Sequence, residues 1–290
     1  MLTNNQIHIR DPFVVPAPEE GRYYLFGTTG ADCWSGTPTG FDVWHGRDLE
    51  HWEGPFPAFR PEPGFWADRN FWAPEVHHYK GRWCMFASFK SAEARRGTQI
   101  LAADAVSGPY RVHSDGPVTP SAWECLDGTL HIDLQGRPWI VFCHEWVQVH
   151  DGEICAMQLA PDLSRAISAP QLLFRASAAP WIKAVQGQID FVTDGPFLYR
   201  ARNGELLMLW SSFSETGYTL GIARSAGGDI AGPWTQDAEP LYRDDGGHGM
   251  LFTTFEGQLM LAVHKPNLSP EERPIFVPVR ESDGRLSLMG

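Results

Sequence analysis

The chain has 290 residues and a formal charge of −12, from 23 Lys and Arg against 35 Asp and Glu. Phosphate binding needs clustered cations, so this balance argues against a nucleic-acid partner, and the adjacent pair Arg95-Arg96 reads as a solvated loop. With 12 Trp, 17 Phe, 29 Gly and 23 Pro and few helix-like stretches, the composition suits an all-β protein rich in turns, whose aromatic rings could also stack on sugars.

The opening segment, MLTNNQIHIR, is polar and lacks the apolar core of a signal peptide, and no apolar run is long enough to span a membrane. The five cysteines are scattered, with no CxxC pair, which fits free thiols in a reducing compartment. A cytoplasmic protein without a membrane partner is expected.

Along the chain, five segments share one layout: RDPFVVPAPEEGRYYLFGTT from Arg10, APEVHHYKGRWCMFASF from Ala73, LDGTLHIDLQGRPWIVF from Leu126, TDGPFLYRARNGELLMLWSSF from Thr193 and GGHGMLFTTFEGQLMLAVH from Gly246. Each has a polar leading residue, an alternating apolar run, a Gly-containing turn and a second alternating run. Period-two alternation puts one face of each strand into a core, so these segments read as hairpins. Between them, FDVWHGRDLEHWEGPFPAF, TQILAADAVSGPYRV and YTLGIARSAGGDIAGPWTQ repeat a strand, a polar turn and a Gly-Pro-aromatic step. ICAMQLAPDLSRAISAPQLLF and PIFVPVRESDGRLSLMG are degenerate copies of the same pattern.

A unit repeated about every 50 to 65 residues, four strands per copy, predicts a five-bladed β-propeller with antiparallel blades around a central channel. No linker interrupts it, so residues 1–290 read as one domain; a two-sheet sandwich is the competing all-β arrangement. Because the first strand of each blade lines the channel, the leading residues Asp11, Glu75, Asp127, Asp194 and His248 should converge on one mouth. Carboxylates sharing a cavity cannot all ionise easily, which separates their proton affinities and supplies both an acid and a base. Glycoside hydrolysis uses such a pair. Capping of turns is the plainer role for any one of these Asp residues.

Taken together, RDPF, FWAPEV, the mid-chain Asp before a hairpin, DGPFLYR and GGHG resemble glycoside hydrolase family 43, over roughly residues 8–280. The resemblance implies a five-bladed propeller acting on arabinose- and xylose-containing polysaccharides. It implies Asp11 as the general base and Asp127 as the residue that tunes and orients the acid. The family's acid is a Glu in an EGP motif. Here Asp194, one methylene shorter, stands in that place, with Glu145 and Glu75 as alternatives. Glu124 in WECLDG matches the acid motif of the related fructan-cleaving enzymes, but it is out of register with the other leading residues. No cofactor is required for the expected chemistry, and the resemblance leaves room for a structural calcium or sodium ion in the central channel near His248.

Phe13, Phe71, Trp72 and Arg273 are expected to contact sugar together with Glu75 and Glu145, and Trp34, Trp66, Trp146 and Trp181 to form outer subsites. His77-His78 reads as structural, and Ser211-Ser212 lacks a nucleophile elbow. The expected activity is inverting, exo-acting release of pentose from oligosaccharides, as an α-L-arabinofuranosidase or a β-xylosidase. A non-catalytic carbohydrate-binding propeller is the rival. A phosphorylase would need a basic pocket built from Arg10, Arg69 and Arg273.

Overall fold

The computed structural model describes residues 1–30, 32–185 and 187–289. The alternating segments form five separate antiparallel sheets. Blade one holds β2 (Arg10–Ala17), β3 (Arg22–Thr28), β4 (Phe41–Gly46) and β5 (His51–Phe59), with the short β1 (Leu2–Thr3) paired to β5 at the outer edge. Blade two holds β6 (Arg69–Tyr79), β7 (Arg82–Lys90), β8 (Gly97–Ala103) and β9 (Arg111–Val112). Blade three holds β10 (Cys125–Ile132), β11 (Pro138–His144), β12 (Glu153–Gln158) and β13 (Gln171–Arg175). Blade four holds β14 (Asp194–Arg200), β15 (Leu206–Ser214), β16 (Gly217–Ser225) and β17 (Trp234–Gln236). Blade five holds β18 (Gly247–Thr253), β19 (Leu259–Lys265), β20 (Arg273–Ser282) and β21 (Arg285–Leu288). The innermost strands β2, β6, β10, β14 and β18 adjoin one another in ring order, which makes a five-bladed propeller.

Strand alternation explains why the blades stack. Successive side chains of a strand point to opposite faces, so one strand can feed two interfaces. On β11, Ile140 and Phe142 pack toward blade two, while Val141 and Cys143 pack toward blade four. On β15, Met208 and Trp210 face blade three and Leu209 faces blade five. Each large side chain buried this way contributes about 1.5–3 kcal/mol. All five cysteines are free; four are buried and Cys33 is half-buried. Among the described residues, no helix is long and apolar enough to cross a membrane.

The ring closes between blades one and five without a shared strand. The backbone N–H of Ile9 donates to the Glu272 carbonyl at 3.3 Å. Arg10 donates to Glu272 Oε1 at 2.6 Å and to Asn267 Oδ1 at 2.8 Å, and His8 sits 3.0 Å from Glu272 Oε2. Glu272 has no exposure, so its removal would strand a buried guanidinium. Glu272→Ala is therefore expected to destabilise the fold by about 3–5 kcal/mol. Urea unfolding of both proteins measures this, and a loss below about 1 kcal/mol would show that the lock is dispensable.

Candidate active site

Every innermost strand carries a register shift at the same place, just before residues 13, 75, 129, 197 and 250 in the five blades. At each shift one residue adopts a left-handed conformation: Asp11 (φ 53°), Ala73 (45°), Asp127 (56°), Gly195 (52°) and His248 (48°). The shift inserts an extra residue and re-aims its side chain, a recurrent device beside functional sites. The equivalent ring is therefore not quite the expected one. Glu75 lies two residues beyond the left-handed position, which Ala73 occupies, and Asp194 lies one residue before it.

The ring opens into a cavity of about 400 Å3. Asp11, Asp127, Asp194 and His248 all line it, together with Tyr218 and Asn267. Asp11 Oδ1 lies 3.1 Å from His248 Nδ1, and Oδ2 accepts a 2.6 Å bond from the Thr28 hydroxyl. The Asp11 amide donates to His264 Nδ1 at 3.1 Å. That bond requires an unprotonated Nδ1 and leaves the other ring nitrogen to donate to Asn267 Oδ1, 3.3 Å away. Asp127 Oδ2 accepts from the Gly195 amide at 2.9 Å and lies 3.7 Å from His248 Nδ1. Tyr218 donates to Asp194 Oδ2 at 2.9 Å.

Gly195 is demanded twice over. Its φ is positive, and a Cβ there would sit 2.7 Å from His248 Cδ2. Any larger residue would push His248 off Asp11.

These surroundings separate the three carboxyls. Burial alone would push Asp11 up, but His248, Arg10 and the Thr28 hydroxyl outweigh it and hold Asp11 below the ordinary aspartate value. Burial and the charge of Asp11 push Asp127 well up, against the Gly195 amide. Burial and the neighbouring Asp127 push Asp194 up to about 7, against His248 and Tyr218. Beside an ionised Asp11, the Asp127–Asp194 pair keeps at least one proton near neutrality. Asp194 is the more exposed of the two, so its proton is the one a substrate can reach. The cavity thus presents a base and an acid.

Comparison with known proteins bears on what that pairing serves. Residues 5–282 match the model of glycosyl hydrolases family 43. The chain belongs to this family. It is 40% identical to an endo-arabinase from Bacteroides thetaiotaomicron VPI-5482, with 98% of this chain and 99% of that one covered and a TM-score of 0.91. It is 21% identical over 194 residues to extracellular endo-alpha-(1->5)-L-arabinanase 1 of Bacillus subtilis (strain 168). That match covers 60% of this chain and 57% of the relative, a little over half the relative's length. An exo-1,5-alpha-L-arabinanase from a bovine ruminal metagenomic library shares the fold at 20% identity, with a TM-score of 0.73 over 100% of this chain and 99% of that one. The protein is a family 43 glycosidase acting on carbohydrate.

The family 43 fold puts only some of the other expected site residues at the cavity. Trp72, Glu145, Trp34 and Trp146 line it. Trp72 is braced by the Arg96 guanidinium, 4.3 Å from its ring centre, and its Nε1 donates to the Cys33 carbonyl at 2.7 Å. Glu145 is bound to that same Arg96, and its remaining neighbours Glu124 and Lys90 tie it into a polar cluster at the rim. Burial pushes the Glu145 carboxyl up against the pull of Arg96, and the pairing ties it to the residue that supports Trp72.

Phe13 and Phe71 do not reach the cavity. Phe13 packs edge-on against His77 and Phe197, and Phe71 against Phe41, Phe59 and Phe89. Alternation would place Phe13 on the same side as Asp11, but the inserted residue turns it into the core. Glu75 is buried away from the cavity, 3.1 Å from His77 Nε2. Arg273 spends its donors on the carbonyls of Asn5, Pro270 and Glu272, fastening the ring closure.

Trp66 donates to Gln99 and Trp181 packs on Trp210, both outside the cavity. Glu124 accepts from the Arg96 amide and from Lys90. The three arginines needed for a phosphate pocket are already engaged: Arg10 binds Glu272, Arg69 pairs with Asp68 in solvent, and Arg273 donates to backbone carbonyls of the closure.

Among the described residues, no group of three or more His, Cys, Asp or Glu side chains is spaced to hold a metal. Nδ1 of His248 faces Asp11, and no step below runs through an ion.

Thr28, Tyr218, His264 and Asn267 are functional neighbours that motif reading passed over. Thr28 and His264 lie at or one residue before the ends of the second strands of their hairpins, opposite Arg10 and Gly247. A polar residue ending an otherwise apolar second strand is the signal that marks them.

Proposed function

We propose that the chain hydrolyses α-1,5-linked L-arabinofuranosyl bonds of arabinan and arabino-oligosaccharides with inversion of the anomeric carbon. The separation of Asp11 and Asp194 into base and acid carries the chemistry. The 40% identical relative, described as an endo-arabinase, supports the substrate and favours internal cleavage over the release of single pentoses. Asp11 takes a proton from water as the water oxygen bonds to the anomeric carbon. Asp194 gives its proton to the departing glycosidic oxygen on the opposite face. With the pair's proton on Asp194, Asp127 carries the charge against the Gly195 amide, disfavours ionisation of Asp194 and keeps it loaded. Trp72 and Trp34, whose rings meet edge-on at 5.2 Å, offer apolar faces to the sugars.

Linear arabinan digested with the enzyme and followed by chromatography and proton NMR tests this. Arabino-oligosaccharides of mixed length bearing the inverted anomer are expected first. Arabinose as the sole early product would replace internal cleavage by the exo reading. A retained anomer, or binding without turnover, would overturn the mechanism.

A further inference from the structure

Four of the five blade boundaries carry the same bond. The amide of the left-handed residue on an innermost strand donates to a side chain on the second strand of the preceding blade. Ala73 donates to Thr28 Oγ1 (2.7 Å), Asp127 to Ser88 Oγ (2.9 Å), His248 to Ser211 Oγ (2.8 Å) and Asp11 to His264 Nδ1 (3.1 Å). The four acceptors share one register position. Each pairs with the residue just before the shift: Thr28 with Arg10, Ser88 with Trp72, Ser211 with Asp194 and His264 with Gly247. The fifth such position, opposite Leu126, is Cys143. A thiol is a weak acceptor. At this boundary the amide of Gly195 goes instead to Asp127 Oδ2, at 2.9 Å.

We propose that Cys143 is a positioning residue: by withholding the acceptor that the other boundaries supply, it leaves the Gly195 amide to Asp127 and fixes that carboxyl beside Asp194. The idea rests on the catalytic reading of Asp127 and Asp194 given above. Cys143 is fully buried and does not line the cavity, so it acts through Asp127 alone. A serine there would present the kind of acceptor that Ser88 and Ser211 already present to their neighbouring amides. Drawing the Gly195 amide away would strip Asp127 of its donor and raise its hold on a proton. A neutral Asp127 no longer repels charge on Asp194, which would then lose its proton at lower pH.

The test is the pair Cys143→Ser and Cys143→Ala, each assayed on arabino-oligosaccharide from pH 4 to 9. Serine is expected to move the basic limb of kcat down by about one pH unit and to lower kcat at pH 7 about fivefold, with KM unchanged. Alanine offers no acceptor, so it should keep the basic limb in place while lowering the melting temperature through the lost side chain. A packing role predicts the reverse order, with alanine the more damaging to kcat. Equal profiles for serine and the parent, or a limb moved by alanine, would overturn the proposal. If serine fails to fold, the alanine profile decides alone: a limb left in place supports the proposal and a moved limb sinks it. Should Asp194→Asn leave the parent's basic limb untouched, the catalytic reading itself has failed. A limb that depends on Asp194 but ignores serine defeats only the role of Cys143.

Discussion

Asp11→Asn is expected to lower kcat/KM on linear arabinan by about 10^3–10^4-fold while the protein remains folded. Asparagine keeps the shape and can still accept from Thr28, but it cannot take a proton from water. The loss should lie in kcat, because Asp11 meets the nucleophilic water rather than the sugar's recognition groups. It should persist at every pH, since no titration restores a base that has been removed. Initial rates across pH, with a thermal melt to confirm the fold, measure it. Turnover within about tenfold of the parent would remove Asp11 from the role of base.

Asp194→Ala should behave differently, and the difference identifies the acid. On arabinan, whose leaving sugar needs a proton, a loss of about 10^2–10^4-fold is expected. On an aryl arabinofuranoside with a nitrophenolate leaving group, departure needs little protonation, so the loss should shrink to about tenfold or less. Equal losses on both substrates would assign Asp194 elsewhere. In the parent enzyme the acid must be protonated, so kcat should fall as pH rises through about 7.

Stability follows the same sign. A carboxyl whose proton affinity is raised by the fold favours the folded state below the ordinary aspartate range, and that contribution is lost as pH rises through about 7. Asp194→Asn should therefore melt higher than the parent at pH 8, and the gap should close near pH 4. The trade is a familiar one, in which an active-site residue is kept at a cost in stability.

The fivefold rhythm, the hairpins and the blade order were legible because alternation and turn residues are local signals. The site was legible where a motif coincided with the register shift, as at Asp11, Asp127 and His248. It blurred where the left-handed position carries an unremarkable residue. Ala73 holds that position in blade two, so the nearest carboxylate, Glu75, stood in for it and proved to be two residues too far along the strand. Phe13 shows the same failure in side-chain direction, because alternation cannot reveal an extra residue within a strand. Arg273 failed for another reason. A guanidinium can serve backbone carbonyls as well as sugars, and its donors go to the ring closure. Tyr218 reaches Asp194 from the third strand of the same blade, and only closure of the ring brings His264 to Asp11.

That closure also governs when the enzyme becomes an enzyme. Asp11 stands in the first blade, whereas His248, which faces its carboxylate, and His264, which accepts from its amide, arrive with the last. During synthesis the base emerges more than two hundred residues ahead of its partners. A ribosome-bound intermediate of four blades already carries all three aspartates and Arg10, yet Asp11 still lacks His248 and the His264 acceptor for its amide. Competence comes at the folding step in which the fifth blade meets the first.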